Sequence, residues 1–489
     1  MTKNLDFTSY KTILLAAIII RLIAAIFSQG YGMHDDHFLI VESSASWVDG
    51  FDYNNWLPWS ELNNGPEGHS FTYVGLNYFI FLFFKSIGLQ DPKLLMLISR
   101  LIHGAFSLLI VHFGYKITEK LGNKHQAVLV GWTLAILWIL PFLSVRNLVE
   151  ITCIPFMLWS VWVLIKSDHR SRFIFAGLLI GMAVSFRYQV AVFALGMGLV
   201  LLVEKKSRGF ILFSIGIFIC IGLTQGLVDY LIWGYPFAEF IGYTTYNVNE
   251  GTAYIPNNNY FMYLLVLMGA TLFPLGILLG IGFFRSWKKY LLLFLPVLFF
   301  IIFHSIYPSK QERFILPVLP FFIMLGVMGY DLLKQTNFVL KFKRLSWRLF
   351  WILNIPLLIF ASLTYTKKSR VESMYYFANI DTREMMILQE SSGKADPSML
   401  PKFYSTNWEL KIIPRINQEQ SLSVHEGYQY NYILFCDDEM LEERISAYKT
   451  IYPKMHLVKV CEPSLVDALL RWLNPRNRNE YIEIWKTGV

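Results

Sequence analysis

Apolar runs of roughly 17 to 25 residues recur along this chain between residues 12 and 365, each long enough to cross about 30 Å of hydrocarbon as a helix. Nothing else limits the fold as strongly, because a segment in lipid must pair its own backbone N–H and C=O groups, and helices do so internally. The runs predict crossing helices near 12–28, 94–114, 125–143, 148–166, 172–186, 188–203, 210–231, 260–284, 290–307, 313–332 and 346–364. A further apolar stretch at 72–87 is short and is expected to make no net crossing, for instance as a re-entrant or interfacial helix, unless an undetected extra span restores the parity of the topology. With 55% hydrophobic and only 16% charged residues, the chain is not that of a soluble protein. The first run follows Lys3 and Lys11 and reads as an uncleaved signal anchor.

Charge gives the topology. Residues 1–365 hold 27 Lys and Arg against 18 Asp and Glu, whereas residues 366–489 hold 16 against 17. The basic excess therefore belongs to the membrane part, where it signals orientation and attraction to anionic headgroups rather than a nucleic-acid footprint. Four connections, 166–172, 204–208, 285–289 and 334–348, carry 14 Lys and Arg with only Asp168 and Glu204 as acids, and are expected on the cytoplasmic side. The opposite face then holds 146–150, Arg187, 233–258 and 310–313.

Two domains are expected: a helical membrane domain over 1–365 and a small extramembrane α/β domain over 366–489. In the latter, 430–436 and 458–461 read as strands, and 439–452 and 464–473 as helices. With eleven crossings this tail lies on the non-cytosolic face, where Cys436 and Cys461 are candidates for a disulfide.

Ionisable groups at a membrane boundary are costly and are usually there for chemistry. The first cluster, His34, Asp35, Asp36, His37 and Glu42, follows the first apolar run. A carboxylate so placed suits a general base taking a proton from a sugar hydroxyl; binding of a divalent ion by Asp and His is the competing reading. In the second cluster, Lys310 and Arg313 lie three apart on one helical face and suit a phosphate oxyanion, with Glu312 orienting Arg313; the alternative is a pair of interfacial anchors. Arg146, beside Asn147 and Glu150, and Arg187 are each either a further phosphate ligand or an interface charge. Asp229, Trp233, Tyr243 and Asn247 lie in a stretch combining aromatic faces with amides, as a pyranose requires, although aromatic belts look similar.

These clusters occur in the order seen in a known family. The chain resembles the family 22 glycosyltransferases, the GT-C-type membrane mannosyltransferases of the GPI-anchor and N-glycan precursor pathways and their bacterial relatives. His34-Asp35-Asp36-His37-Phe38 with Glu42 is similar to the family's first external loop, His-Pro-Asp-Glu-His-Phe-Gln with a following Glu, in either of two alignments that make Asp35 or Asp36 the family's Asp. Leu57-Pro58-Trp59 resembles a Pro-Trp element. Arg146, Asn147 and Glu150 resemble a looser Arg-x-x-x-Asn/Glu motif. Asp229, Trp233-Gly234, Pro236-Phe237 and Tyr246-Asn247 resemble an Asp…Tyr-Gly-x-Trp…Pro-x-Asn-Phe…Asn stretch. Lys310, Glu312, Arg313 and Phe314 match His-Lys-Glu-Glu-Arg-Phe, with Ser309 and Gln311 replacing His and Glu. His69-Ser70 stands where Arg-Ser is common.

The resemblance covers about residues 10–335. It implies an all-α polytopic GT-C-like bundle of about 11–13 membrane helices that moves a hexose, mannose above all, with inversion from a polyprenyl-phosphate carrier to a hydroxyl of a lipid-linked or cell-surface glycan. In that reading Asp35 or Asp36 is the base, and Lys310 and Arg313 with Arg146 or Arg187 bind the donor phosphate. His34, His37, Glu42, Trp59, His69, Asp229, Trp233, Tyr243, Asn247 and Glu312 contact substrates. No cofactor or metal is required, because the leaving group is a single lipid phosphate. The partners are the sugar donor, the glycan acceptor and the bilayer, with no nucleic acid, and the site faces away from the cytosol in a bacterial inner membrane or the ER membrane. Two other classes remain open from the residues: a lipid or polysaccharide flippase or transporter, and a membrane-anchored assembly protein.

Overall fold

The computed structural model describes residues 6–60, 62–63, 65–249, 259–380, 385–392, 398–415, 429–475 and 477–489. The part of the expected external stretch at 250–258 thus lies outside the described residues. Its helices are those of an integral, multi-pass membrane protein. All eleven predicted regions contain helix. Among the described residues six helices are long and apolar enough to cross a membrane, namely Tyr10–Phe27, Pro92–Leu121, Val149–Lys166, Ser207–Trp233, Glu312–Tyr330 and Asn337–Ser362. Four shorter apolar helices are Arg172–Phe186, Val190–Val203, Leu275–Arg285 and Leu291–Ile306. The stretch at 72–87 is the helix Phe71–Ser86.

Several predicted helices are interrupted; the region 148–166, for one, divides at Cys153 into Val149–Thr152 and Ile154–Lys166. The region 260–284 divides into Met262–Ala270 and Leu275–Arg285, with Pro274 in the gap. The region 125–143 divides into Lys124–Ile136 and Ile139–Ser144. At that break Asn354, from the helix Asn337–Ser362, accepts from Trp138 N at 2.8 Å and donates to the Ile136 carbonyl at 2.7 Å. Arg21, buried in the first helix, donates to the Ala135 and Leu134 carbonyls at 3.0 and 3.3 Å. An unwound turn is tolerated among apolar helices because side chains fill its backbone groups. Close packing elsewhere uses small residues: a Cβ on Gly177 would strike the Phe213 carbonyl, and one on Gly216 the Ile174 carbonyl, so Arg172–Phe186 and Ser207–Ile221 touch backbone to backbone.

The chain forms two compact units. The first comprises residues 1–26, 54–76 and 99–362, and the second residues 27–53, 77–98 and 363–489. The second therefore contains more than the tail that the sequence sets apart at residue 366. Its sheet has five strands, β1 Met386–Ser391, β2 Lys411–Arg415, β3 Tyr432–Cys436, β4 His456–Cys461 and β5 Ile482–Lys486, in the order β2-β1-β3-β5-β4. β1 is parallel to β2 and β3, while β5 is antiparallel to β3 and β4. Phe38, Val41 and Ala45 from the segment after the first span, and Phe81 and Leu95, share a core with Ile387, Phe403, Leu434 and Ile484. This shared core is why those segments belong to the second unit.

Cys436 and Cys461, candidates for a disulfide, are both free. Cys436 and Cys461 each pair with Ile482 from opposite sides. Two strand spacings of about 4.8 Å separate them, beyond the reach of a disulfide.

Candidate active site

In the first unit the cationic residues gather on short, irregular elements between apolar helices. Arg187 ends the helix Arg172–Phe186, Glu150 lies in the one-turn helix Val149–Thr152, and Arg313 lies in the tight turn Glu312–Val318. Arg187 Nη1 donates to Glu150 Oε1 at 2.6 Å, and Arg313 Nε stands 3.8 Å from the same oxygen. Both guanidinium groups lie over the Phe314 ring, at 5.0 and 5.6 Å. One buried carboxylate and one aromatic face thus bring together two arginines that are 126 positions apart in the chain. Arg187 is buried, yet its Nε and Nη2 have no hydrogen-bond partner.

Lys310 is buried immediately upstream of Arg313, with Nζ 5.7 Å from the Tyr260 ring. Glu312, expected to orient Arg313, is exposed, and Gln311 Oε1 accepts from Arg313 Nε at 2.8 Å. Arg146 is buried over the Phe142 ring and donates to the Phe142 carbonyl at 2.9 Å.

The aromatic and amide stretch is organised by a residue that sequence reasoning passed over. Glu239 Oε1 accepts from the indoles of Trp56 and Trp233, each at 2.9 Å, and Oε2 from the backbone N–H groups of Gly68 and His69 at 2.8 and 3.2 Å. Its own N–H donates to Asp229 Oδ2 at 3.0 Å. Complete burial pushes the Glu239 carboxyl up to about 7, against the pull of the two indoles. The only signal in the sequence was an acid placed among aromatics. Trp233 and His69 thus meet through Glu239, whereas Trp59 is 70% exposed. Tyr243 accepts from Gln189 Nε2 at 2.5 Å, and Asn247 Oδ1 accepts from Tyr307 at 3.0 Å.

In the second unit the segment after the first span is not an open loop. Asp35 is half-buried at the start of the helical turns Asp36–Glu42, and Asp36 is buried. His37 is buried, stacked between Tyr31 at 4.4 Å and Tyr404 at 5.9 Å, with Nε2 3.3 Å from Glu42 Oε1. Glu42 is wholly buried and accepts from Phe403 N at 3.1 Å; burial raises its carboxyl above the ordinary range. His34 is exposed, its ring 4.4 Å from Phe38. His37 and Glu42 therefore face inward and fix the segment that carries Asp35 and Asp36.

The described residues thus comprise a polytopic helical bundle with buried cations on its connecting turns and a small mixed sheet. The chain belongs to the Alg9-like mannosyltransferase family, whose profile matches residues 12–396. Its fold is similar to that of ArnT from Cupriavidus metallidurans bound to undecaprenyl phosphate, with a TM-score of 0.62 and 13% identity over 98% of both chains. It is also similar to the Archaeoglobus fulgidus oligosaccharyltransferase in complex with zinc and sulfate, with a TM-score of 0.55 and 13% identity over 87% of this chain and 68% of that one. The archaeal oligosaccharyltransferase AglB from the same organism, in complex with an inhibitory peptide and a dolichol-phosphate, has a TM-score of 0.51 and 11% identity over 88% of this chain and 70% of that one. No curated protein matches the sequence.

Proposed function

We propose that the protein transfers a hexose, mannose in the first instance, from a polyprenyl phosphate to a hydroxyl of a lipid-linked or cell-surface glycan, with inversion, on the non-cytosolic face. The observation that carries this reading is Arg187, whose buried Nε and Nη2 have no partner while Nη1 is held by Glu150. A planar guanidinium fixed through Nη1, with its remaining buried N–H groups unsatisfied, suits the oxygens of a phosphate. ArnT with bound undecaprenyl phosphate and AglB with bound dolichol-phosphate share the fold, which supports a lipid phosphate as the ligand.

In this mechanism Asp35 or Asp36 takes the proton from the acceptor hydroxyl as its oxygen attacks the anomeric carbon. The bond from that carbon to the phosphate oxygen breaks, and the departing lipid phosphate gains negative charge. Arg187, Arg313 and Lys310 stabilise that charge, with Arg146 as a further candidate. Trp233, Tyr243 and the Glu239 hub frame the sugars. The leaving group is a phosphate monoester met by fixed cations, so no metal is assigned a step.

Purified protein incubated with polyprenyl-phosphate mannose and membrane lipid extract, read by mass spectrometry, should yield a new glycolipid. Arg187→Ala, Lys310→Ala and Arg313→Ala should each lower turnover on the order of 100-fold, and unchanged rates would exclude the phosphate role. Asp35→Asn and Asp36→Asn should be assayed separately, since wild-type turnover in both would remove the base from this segment.

A further inference from the structure

The helix Leu465–Leu473 buries none of its residues. Leu465, Leu469, Trp472 and Leu473 recur at the spacing of one helical face and are 88%, 40%, 76% and 63% exposed, with Leu470 beside them at 49%. The opposite face is tied down. Asp467 accepts from Lys367 N and Lys368 N at 3.2 and 3.4 Å, and Arg471 pairs with Glu439 at 3.3 Å. Ser464 caps the start, accepting from Asp467 N at 3.2 Å. The polar side therefore holds the helix to its own unit and turns a wide apolar stripe outward.

What covers that stripe follows from where its polar side is fastened. The membrane helix Asn337–Ser362 ends five residues before Lys367, so no more than about 18 Å of chain separates the span's end from the amide that holds Asp467. The first span ends at Phe27, and three residues later Gly30 pairs with Thr366, whose N–H donates to the Gln29 carbonyl at 3.1 Å. Two points where the chain leaves the bilayer thus converge on the strand of backbone next to the helix. A tryptophan and four leucines on one face suit the headgroup and acyl boundary, where such helices sink about 5–10 Å.

We propose that Leu465–Leu473 is an interfacial helix whose apolar face is seated in the lipid of the leaflet into which these two spans open, anchoring the second unit to the bilayer surface. A second copy of the chain is the competing occupant. The test uses the full chain in vesicles of phosphatidylethanolamine and phosphatidylglycerol, with the photocrosslinker p-benzoylphenylalanine replacing Leu465, Leu469 or Trp472 in turn, and the exposed Glu443 as a reference. These side chains support no core, and an unchanged elution volume in detergent verifies each fold. After illumination, mass spectrometry should find phospholipid adducts at residues 465, 469 and 472 and none at 443. Protein–protein adducts at those three positions, or the same yield of lipid adduct at 443, would overturn the proposal.

Discussion

Arg187 and Glu150 form a buried ion pair, Nη1 to Oε1 at 2.6 Å, and the same carboxylate oxygen lies 3.8 Å from Arg313. Removing a carboxylate from such a group leaves cations desolvated without compensation, which costs about 3–5 kcal/mol. Glu150→Gln should therefore lower the thermal midpoint of the detergent-solubilised protein and depress turnover, while Glu150→Asp recovers part of both. An unchanged midpoint would show that Glu150 is not the counter-charge.

Glu239 makes a pH prediction. The ordinary glutamate value is 4.5, and burial pushes this carboxyl up to about 7, so between these values the folded chain holds a proton that the unfolded chain has released. Stability must then fall as pH rises through that window. The thermal midpoint of the wild type should decline from pH 4.5 to pH 7 more steeply than that of Glu239→Gln. Parallel curves would remove Glu239 as the titrating group.

Gly68 has φ +75°, and a Cβ there would stand 2.8 Å from the Tyr243 backbone. Both the left-handed conformation and the contact oppose any side chain. Gly68→Ala should cost roughly 1–3 kcal/mol by analogy with other strained positions, and should raise KM for the donor or acceptor by shifting Tyr243. Gly65, whose φ is also positive but which has open space around it, provides the control.

Glu42 separates a packing role from a chemical one. Glu42→Gln keeps an acceptor for the Phe403 N–H and should leave stability and turnover near wild type. Glu42→Ala orphans that buried N–H and should cost about 1–3 kcal/mol, read as a lower thermal midpoint. Loss of turnover in the folded Gln variant would assign Glu42 a direct part in the reaction.

If cations of the chain alone carry the departing phosphate, exhaustive treatment with EDTA should leave the rate of glycolipid formation unchanged. A loss restored by a divalent ion would overturn the metal-free mechanism.

The bundle was legible because lipid imposes one rule on every span: long apolar runs became helices, although the break at Pro274 was passed over inside the run 260–284. The break at Trp138 was not legible, since its backbone groups are filled by Asn354, 216 positions away from Trp138. In the tail, β3, β4 and both helices follow from local periodicity. β5 does not, because Ile482–Lys486 alternates apolar and charged residues near the end of a polar stretch and becomes a central strand only through its partners. The cationic residues were recognisable one by one. Their grouping around Glu150 was not, nor was the Glu239 hub, because each is made by packing between distant segments. In the His34–Glu42 cluster the ionisable groups were legible as candidates, but not the packing of their inward half against Phe403 and Tyr404, which lie far beyond the matched motifs.

The pairing of Gly30 with Thr366 also orders the protein's assembly in time. Hydrogen bonds from Thr366 reach Gln29, 337 positions earlier. At about 5–20 residues per second of synthesis, the segment bearing Asp35 and Asp36 emerges something like half a minute before the strands and loops that shelter His37 and Glu42 exist. Until the last span has been inserted, that acidic segment must wait unassembled at the membrane surface, so a nascent chain stalled or cleaved after the bundle would contain Arg146, Arg187, Lys310 and Arg313 and still lack a folded setting for its carboxylates.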